Sequence, residues 1–402
     1  MPQPYRLLQD RNFLLFLATR AGTVFGTVML SVAVGWHIYS ETGNVLDLGL
    51  VGLFQFAPML LLFLFSGWLA DRISRRAILA VSNIIDCIVV FGIGTMFLAP
   101  DFNIWGIFLL LSLHGIARSF THPAQQALLP NLVPKDVFPR AMATASSVLK
   151  FGQLGGPALA GVLIAWVDLQ IYFLLAAFFL FSAVTALFIQ NPKKRTASNE
   201  RGLAALFGGF NHIWREKLVL ASISIDLMVV LFGSVIGLLP VFAKDILHVG
   251  PEALGVMRAA PGVGALCFAI LLSRYTPTWR MGPLFLVSLL IFSASIFVFG
   301  FSRLFWLSLV ALLVYGAADM LSVYIRMTLV QIRTPDALRG RVSAINSLTI
   351  NASNEIGDFR AGTMAAWLGV IPAVIAGAAM TVGVTVLWWA IFPQLRQLKK
   401  LE

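Results

Sequence analysis

Long apolar runs recur about twelve times along the chain, and they limit its possible folds more than any other feature of the sequence. Each run is close to 20 residues long, the length that an α-helix needs to cross roughly 30 Å of hydrocarbon. Of the 402 residues, 59% are hydrophobic and 12% are charged, which is outside the usual range for soluble domains. The sequence therefore predicts an all-α integral membrane protein with twelve transmembrane helices. The predicted spans are approximately 13–38, 47–69, 77–99, 104–129, 141–165, 170–190, 217–242, 252–273, 282–301, 304–330, 341–366 and 370–392.

Lysine and arginine are unevenly distributed over the loops between these spans. Almost all of the loop residues among the 29 Lys and Arg fall on one side, and only Lys244 and Arg303 fall on the other. Because positive loop residues are retained on the cytoplasmic side, we expect both termini in the cytoplasm and the chain in the cell inner membrane. Cationic loops facing the anionic lipid bilayer explain the net charge of +11, so no nucleic-acid partner is expected.

An internal repeat relates the two halves of the chain. Much of the stretch from Gly115 to Val162 returns at an offset of 201 residues, so that Gly115 matches Gly316 and Gly161 matches Gly362. The repeat is too long for a solenoid. It predicts two pseudo-symmetric six-helix bundles, residues 1–190 and 217–402, joined by a cytoplasmic linker at 191–216. Apolar residues at helical spacing in the linker favour a short helix on the membrane surface, and a flexible linker is the alternative.

A polar motif follows the second predicted span. It reads Gly67-Trp-Leu-Ala-Asp71-Arg72-Ile-Ser-Arg75-Arg76, on what the sequence predicts to be a short loop. It resembles the signature loop of the major facilitator superfamily, Gly-x-x-x-Asp-Arg-x-Gly-Arg-Arg, with Ser74 in place of the second glycine. The resemblance implies the major facilitator fold and a latch that closes the cytoplasmic side in the outward-facing state. The alternative is that the arginines only set the topology. The latch residues would be Gly67, Asp71, Arg72, Arg75 and Arg76.

A glycine-rich segment of the fifth span resembles a second motif of the superfamily, one associated with antiporters. That motif is Gly-x-x-x-Gly-Pro-x-x-Gly-Gly, and Ala160 replaces one of its glycines here. Small residues allow close helix packing, which is also the alternative explanation. Segments 123–134, 319–341 and 353–362 resemble the drug and siderophore exporter branch, which includes the enterobactin exporter and macrolide efflux proteins. The antiporter-like positions are Gly152, Gly156, Pro157 and Gly161.

Ionisable side chains inside the spans are the candidates for a transport site. Each costs at least about 2.5 to 3.5 kcal/mol on insertion scales, so it should face a partner, a cavity or water. At the repeat offset, the stripe of His114, Arg118, Thr121 and Gln125 corresponds to Tyr315, Asp319, Ser322 and Arg326. Residues three, four and seven apart share one helix face, so we expect spans 4 and 10 to face a cavity. The superfamily resemblance implies that spans 1, 4, 7 and 10 line it.

The candidates for the substrate and proton pathway come from several spans. Static salt bridges and arginines that reach toward the interface are the alternative, and we favour that alternative for Arg360 and Asp86. Arg118 and Asp319 are expected to orient or neutralise substrate charge, and Asp226, Glu355 or Asp358 to carry the proton. The full set is Arg118, Asp226, Asp319, Arg326, Glu355, Asp358, Arg20, His114 and Arg258.

The function implied by the resemblance is secondary active transport. We expect export of an amphiphilic small molecule, such as a siderophore, a drug or a related metabolite, by proton antiport with alternating access. A proton-coupled importer of a siderophore or other metabolite is the alternative. The sequence has no pattern typical of an enzyme, a cofactor site or a metal site, and none of these is expected. A monomer is expected by family resemblance.

Overall fold

The computed structural model describes residues 7–190, 203–275 and 280–398, and all regular secondary structure in them is helical. Apolar, helix-forming runs explain this, because a backbone in hydrocarbon must satisfy its hydrogen bonds within the segment. The longer helices of the first part are α1 (Arg11–Thr42), α2 (Val45–Arg72), α3 (Arg75–Leu98), α4 (Ile104–Leu132), α5 (Phe138–Val167) and α6 (Ile171–Phe188). Short 3₁₀ turns at Leu7–Gln9 and Asp168–Gln170 accompany them.

The later part of the chain continues the same pattern with two interruptions. A 3₁₀ turn at Ile236–Leu238 follows α8, and a π-helical turn at Phe242–Ile246 follows α9. The helices are α7 (Leu203–Arg215), α8 (Lys217–Gly233), α9 (Leu239–Val241), α10 (Pro251–Arg274), α11 (Met281–Phe301), α12 (Phe305–Arg333), α13 (Asp336–Leu368), α14 (Val370–Ile391) and α15 (Pro393–Gln397).

Ten segments of the described residues are long and apolar enough to cross a membrane. One of these segments, Phe138–Phe188, contains both α5 and α6. Helix α13 is not among the ten, because asparagine, serine and charged residues dilute its apolar residues. The prediction of an all-α membrane protein is confirmed, whereas the exact number of twelve spans stays a prediction.

The chain forms two compact units. The first contains Met1–Ile38 and Phe54–Asn199, and the second contains Tyr39–Leu53 and Glu200–Glu402. The second unit therefore includes the end of α1 and the start of α2, which the sequence analysis assigned to the first bundle. Within this unit a β-carbon on Gly362 would lie 2.8 Å from the Cα atom of Gly49. Glycine at both positions is what allows α2 and α13 to approach this closely.

Each unit has its own apolar core. In the first unit, buried side chains of α1, α3, α4 and α5 meet around Phe13, Leu79 and Leu128. In the second, buried side chains of α8, α12 and α13 meet around Val219 and Val342. Burial of these aliphatic and aromatic groups fixes how the helices pack, and so it sets which polar groups can meet.

The repeat has a structural counterpart in two glycines, one in each unit. A β-carbon on Gly115 of α4 would overlap the carbonyl oxygen of Gln55 on α2. A β-carbon on Gly316 of α12 would overlap the carbonyl oxygen of Pro261 on α10. Helices α2 and α4 of the first unit thus approach each other closely, and the corresponding helices α10 and α12 of the second unit do the same.

The linker predicted at 191–216 is described from residue 203 onward, and 191–202 lie outside the described residues. Residues 203–215 form helix α7. On this helix Ile213 is buried, whereas Phe210 and Trp214 are exposed. A β-carbon on Gly209 would lie 2.8 Å from Cδ1 of Ile345, so α7 packs closely on α13. The helix is present, and its place on the membrane surface stays a prediction.

Candidate functional site

A buried ion pair joins α8 and α12 in the second unit. Nη2 of Arg326 lies 3.1 Å from Oδ2 of Asp226, and the side chains are only 2% and 5% exposed. Nη1 of Arg326 also donates a hydrogen bond of 2.8 Å to Oδ1 of Asn346 on α13. The structure thus brings together two of the predicted pathway residues. Asn346 was missed by the sequence analysis, because an isolated asparagine in a polar helix carries no specific signal.

A second carboxyl group belongs to the same cluster. Asp319 of α12 interacts electrostatically with both Asp226 and Arg326. The ring of Tyr315, one turn earlier, packs on Phe292 of α11 with ring centroids 4.3 Å apart. Asp226 is therefore paired with Arg326, and Asp319 lies close enough for its charge to interact with both. We call Asp226, Asp319 and Arg326 the carboxylate–arginine cluster.

The remaining predicted acidic residues lie on α13, in a separate group. Arg258 of α10 interacts electrostatically with both Glu355 and Asp358. Oδ1 of Asp358 accepts hydrogen bonds from the hydroxyl of Ser234 and from the backbone N–H of Gly237. The guanidinium of Arg360 is bound to backbone carbonyls of α8. Arg360 therefore contacts the main chain at the end of α8, and Asp358 contacts it in the 3₁₀ turn that follows. The spacing alone did not suggest these contacts.

In the first unit, His114 is paired with Asp86. Nδ1 of His114 lies 2.8 Å from Oδ1 of Asp86 on α3, and both side chains are 1% exposed. The ring also packs edge-on against Phe179 of α6, with centroids 6.2 Å apart. Nε2 of His114 is buried and has no hydrogen-bond partner among the described residues. His114 is therefore engaged with α3 and α6, and a role of the α4 stripe in the pathway stays a prediction.

A group of three basic side chains forms another part of the first unit. The charges of Arg20 on α1 and Arg118 on α4 both act on His122, which the sequence analysis missed. The spacing of Arg118 and His122, one helical turn, was the available signal. Among the side chains that the structure describes in the first unit, neither arginine forms an ion pair with an acidic group, and Nε of Arg20 is buried without a hydrogen-bond partner. We call these three residues the basic cluster.

The predicted latch motif is mostly helical. Residues 67–72 form the end of α2, and only Ile73 and Ser74 separate α2 from α3, so the prediction of a loop from residue 67 was wrong. The run stays helical because α2 can extend beyond its apolar part into polar surroundings. The side chain of Asp71 lies outside the described side chains, and Arg72 is exposed.

The last two arginines of the motif contact helix ends. Nη1 of Arg75 donates to the carbonyl oxygen of Ala127 near the end of α4, at 3.1 Å. Nη1 of Arg76 donates to the carbonyl oxygen of Ile189, just after α6, at 3.0 Å. Carbonyl groups at a helix C-terminus attract cations. The motif therefore ties the start of α3 to the ends of two neighbouring helices in the first unit.

The antiporter-like motif lies where α5 packs against α1. A β-carbon on Gly152 would lie 2.5 Å from Cγ1 of Val24, and one on Gly156 would lie 3.0 Å from Cγ1 of Val28. Pro157 and Gly161 are buried in the same helix. The motif thus provides a close helix contact in this structure.

In the part of the chain that the structure describes, no group of three or more His, Cys, Asp or Glu side chains could hold a metal ion.

Comparison with known proteins agrees with the sequence motifs. The family model described as Major Facilitator Superfamily matches residues 16–357. The enterobactin exporter of Citrobacter koseri is 25% identical over 368 residues, which cover 91% of this chain and 87% of that protein. The enterobactin exporter of Escherichia coli O1:K1 is 25% identical over 366 residues, which cover 91% of this chain and 86% of that protein.

Several solved structures share the fold. A nucleoside transporter aligns with a TM-score of 0.75 at 15% identity, over 95% of this chain and 99% of that chain. A bacterial homologue of the human lysosomal transporter Spinster aligns with a TM-score of 0.70 at 15% identity, over 98% of each chain. A D-xylose-proton symporter aligns with a TM-score of 0.69 at 17% identity, over 96% of this chain and 98% of that chain. At these identities the likeness shows the fold alone.

Proposed function

The chain belongs to the major facilitator superfamily, and from this premise we propose that it exports an amphiphilic small molecule by proton antiport with alternating access. Family and fold are those of a multi-pass inner membrane transporter of small molecules. The similarity to enterobactin exporters supports export and makes a siderophore the first substrate class to test. Drugs and related metabolites are the next classes. The proposal includes a monomer with both termini in the cytoplasm.

The carboxylate–arginine cluster is the observation that carries the proposal. Arg326 is bound to Asp226 at 3.1 Å and interacts electrostatically with Asp319. With all three groups ionised the cluster would have one negative charge in excess, which is costly inside a membrane. One proton on either carboxyl group makes the cluster neutral and leaves the other carboxylate paired with Arg326. The cluster can therefore load and release a single proton.

The basic cluster supports a role in substrate binding. Arg20 and Arg118 are partly buried, and neither has an acidic partner among the described side chains of their unit. A guanidinium that is partly removed from water without a counter-ion is unfavourable. An anionic group on the substrate would supply the missing charge. We therefore propose that Arg20 and Arg118 bind the negatively charged part of an amphiphilic substrate.

A proton-coupled importer is the second candidate. The structural likeness to a D-xylose-proton symporter shows that this fold also occurs in proteins named as symporters. The fold alone therefore does not determine the direction of transport. The antiporter-like glycines at 152 and 156 and the similarity to named exporters favour export.

Inside-out membrane vesicles test both the coupling and the direction. The vesicle lumen is acidified by respiration, and the pH gradient is followed with a fluorescent amine while enterobactin, other siderophores, macrolides or lysolipids are added. We expect a transported compound to dissipate the gradient only in vesicles that contain this protein. Vesicles without the protein and vesicles with the Asp319→Asn variant are the controls. Accumulation of the compound in right-side-out vesicles, with no effect in inside-out ones, would instead establish the importer.

A further inference from the structure

The membrane segment that begins with α8 is interrupted. Helix α8 ends at Gly233, and Ser234 has an extended backbone with φ −65° and ψ 126°. The chain becomes helical again in the 3₁₀ turn Ile236–Leu238. Such a break leaves carbonyl groups at the end of one helix and N–H groups at the start of the next without intrahelical partners. Inside a membrane these groups must find other partners within the protein.

One arginine of α13 satisfies the carbonyl side of the break. Nε of Arg360 donates to the carbonyl oxygen of Leu231 at 3.0 Å. Nη2 of Arg360 donates to the carbonyl oxygen of Phe232 at 2.8 Å and to that of Ser234 at 3.4 Å. A planar guanidinium with several fixed donors suits this task, whereas a lysine ammonium could not reach all three oxygens in the same geometry.

One aspartate of α13 satisfies the N–H side. Oδ1 of Asp358 accepts a hydrogen bond of 3.1 Å from the backbone N–H of Gly237, inside the 3₁₀ turn, and another from the hydroxyl of Ser234. A carboxylate at the N-terminus of a helical turn is favourable, because the free N–H groups carry partial positive charge. Asp358 and Arg360 thus hold opposite sides of the same break. We call them the break clamp.

Glycines allow the clamp to reach the backbone. A β-carbon on Gly357 would lie 3.2 Å from the carbonyl oxygens of both Val230 and Leu231. A β-carbon on Gly377 of α14 would lie 2.6 Å from the carbonyl oxygen of Phe232 and 3.3 Å from Nη1 of Arg360. Larger residues here would push α13 or α14 away from the break. The contact between α13 and the break therefore depends on two features: the side chains of Asp358 and Arg360 bind the main chain, and the glycines let the helices lie close enough for them to do so.

We propose that Asp358 and Arg360 are positioning residues: their hydrogen bonds fix the backbone geometry at the break within the segment 217–246. We further propose that transport requires this geometry to be kept. The two parts joined by the break carry different polar contacts. Before it, α8 carries Asp226, which is bound to Arg326. After it, Asp245 accepts a hydrogen bond from the hydroxyl of Tyr39 within the second unit. The clamp keeps these two contacts in a fixed relation, and the inference about transport rests on the proposed function.

A positioning role and a proton-transfer role place different chemical requirements on the side chain of Asp358. A positioning residue needs only an acceptor oxygen at the Oδ1 position, which asparagine also provides. A proton carrier needs an ionisable carboxyl group, which asparagine lacks. The variants Asp358→Asn and Asp358→Ala therefore separate the two roles.

Hydrogen–deuterium exchange of the purified full-length chain in lipid nanodiscs measures the clamp without any substrate. We expect Asp358→Ala and Arg360→Lys to speed exchange of amides in 231–240 by about tenfold, because a charge-assisted hydrogen bond to the backbone is lost. In Asp358→Asn the exchange rate should stay within about threefold of that of the unchanged chain, because the asparagine oxygen can still accept the hydrogen bonds. Arg303→Ala is the matched control, since Arg303 donates to the neighbouring carbonyl of Ser302 and contacts no backbone group of the break among the described residues. Unchanged exchange in both Asp358→Ala and Arg360→Lys would overturn the clamp.

Proton-coupled transport of enterobactin in the vesicle assay then tests the positioning role. We expect Asp358→Asn to retain transport, and Arg360→Lys to lower the maximal rate with little change in KM. Loss of proton-driven transport in Asp358→Asn, with normal amide exchange, would show that Asp358 carries the proton and would overturn the proposal. Where Asp358→Ala fails to fold, Ser234→Ala removes one donor to the same carboxylate and should give a smaller increase in exchange. Absence of transport in the unchanged chain would count against the proposed function only, because the exchange measurement decides the clamp independently.

Discussion

Asp226 of α8 and Arg326 of α12 lie 100 positions apart in the sequence, and their charged groups meet at 3.1 Å in a buried ion pair. Removing one partner of a buried pair leaves an uncompensated charge, which costs about 3 to 5 kcal/mol in known cases. Asp319 interacts with the same arginine, so it can compensate for part of a loss at Asp226. The two carboxyl groups should therefore be energetically coupled.

A double-mutant cycle measures this coupling. We expect Asp226→Ala to lower the thermal unfolding temperature more in the Asp319→Ala background than alone, because no second carboxylate is then available to Arg326. The readout is thermal unfolding of purified protein in detergent. Additive effects of the two substitutions would show that Asp319 does not share Arg326.

Asp319→Asn should uncouple transport from protons. The substitution keeps the side-chain shape but removes the excess carboxyl group, so the Asp226–Arg326 pair is neutral without a proton and the cluster no longer needs to bind one. We expect inside-out vesicles to lose the substrate-dependent dissipation of the pH gradient while exchange of labelled for unlabelled substrate continues. Asp101→Asn, an exposed loop position, is the control. Normal gradient dissipation in Asp319→Asn would remove Asp319 from the proton pathway.

Arg118→Gln and Arg20→Gln should weaken binding of anionic substrates selectively. A charged hydrogen bond contributes about 1.5 to 3 kcal/mol, which predicts at least a roughly tenfold rise in KM. The comparison uses a transported acid and its neutral ester, for which the change in KM should be small. Lys150→Gln, at an exposed position bonded to Gln153, should change neither value. Equal effects on acid and ester would contradict a role in binding the anionic group.

The repeat-related glycines Gly115 and Gly316 should both be intolerant of alanine. A β-carbon at either position would overlap a backbone carbonyl oxygen of α2 or α10, and overpacking typically costs about 1 to 3 kcal/mol. We expect both variants to unfold at lower temperature. Gly383→Ala is the control, because nothing lies within 4 Å of a β-carbon there and alanine favours a helix by up to about 1 kcal/mol. An unfolding temperature of Gly115→Ala or Gly316→Ala equal to that of Gly383→Ala would contradict the predicted overlap.

The candidate site could be predicted from the sequence only in part. Charged side chains at membrane depth are conspicuous because of their cost, so the sequence alone identifies Asp226, Asp319 and Arg326 as candidates. Their pairing was not predictable, because it depends on how each helix is rotated about its axis. His114 illustrates this: its spacing placed it on a stripe with Arg118, whereas the packing of α3 and α4 pairs it with Asp86.

Apolar run length and short motifs are local properties of a chain, so they are enough to identify this one as helical, membrane-embedded and a member of its family. The pairing of charges and the position of a helix break depend instead on tertiary packing. The run from 217 to 242 is apolar except for a few residues. Hydropathy therefore gives no sign of the break, because it does not report backbone hydrogen bonding. Asp358 and Arg360, more than 120 positions away in the chain, form hydrogen bonds with backbone groups on either side of that break. Partners that distant are brought together by packing, which no local pattern encodes.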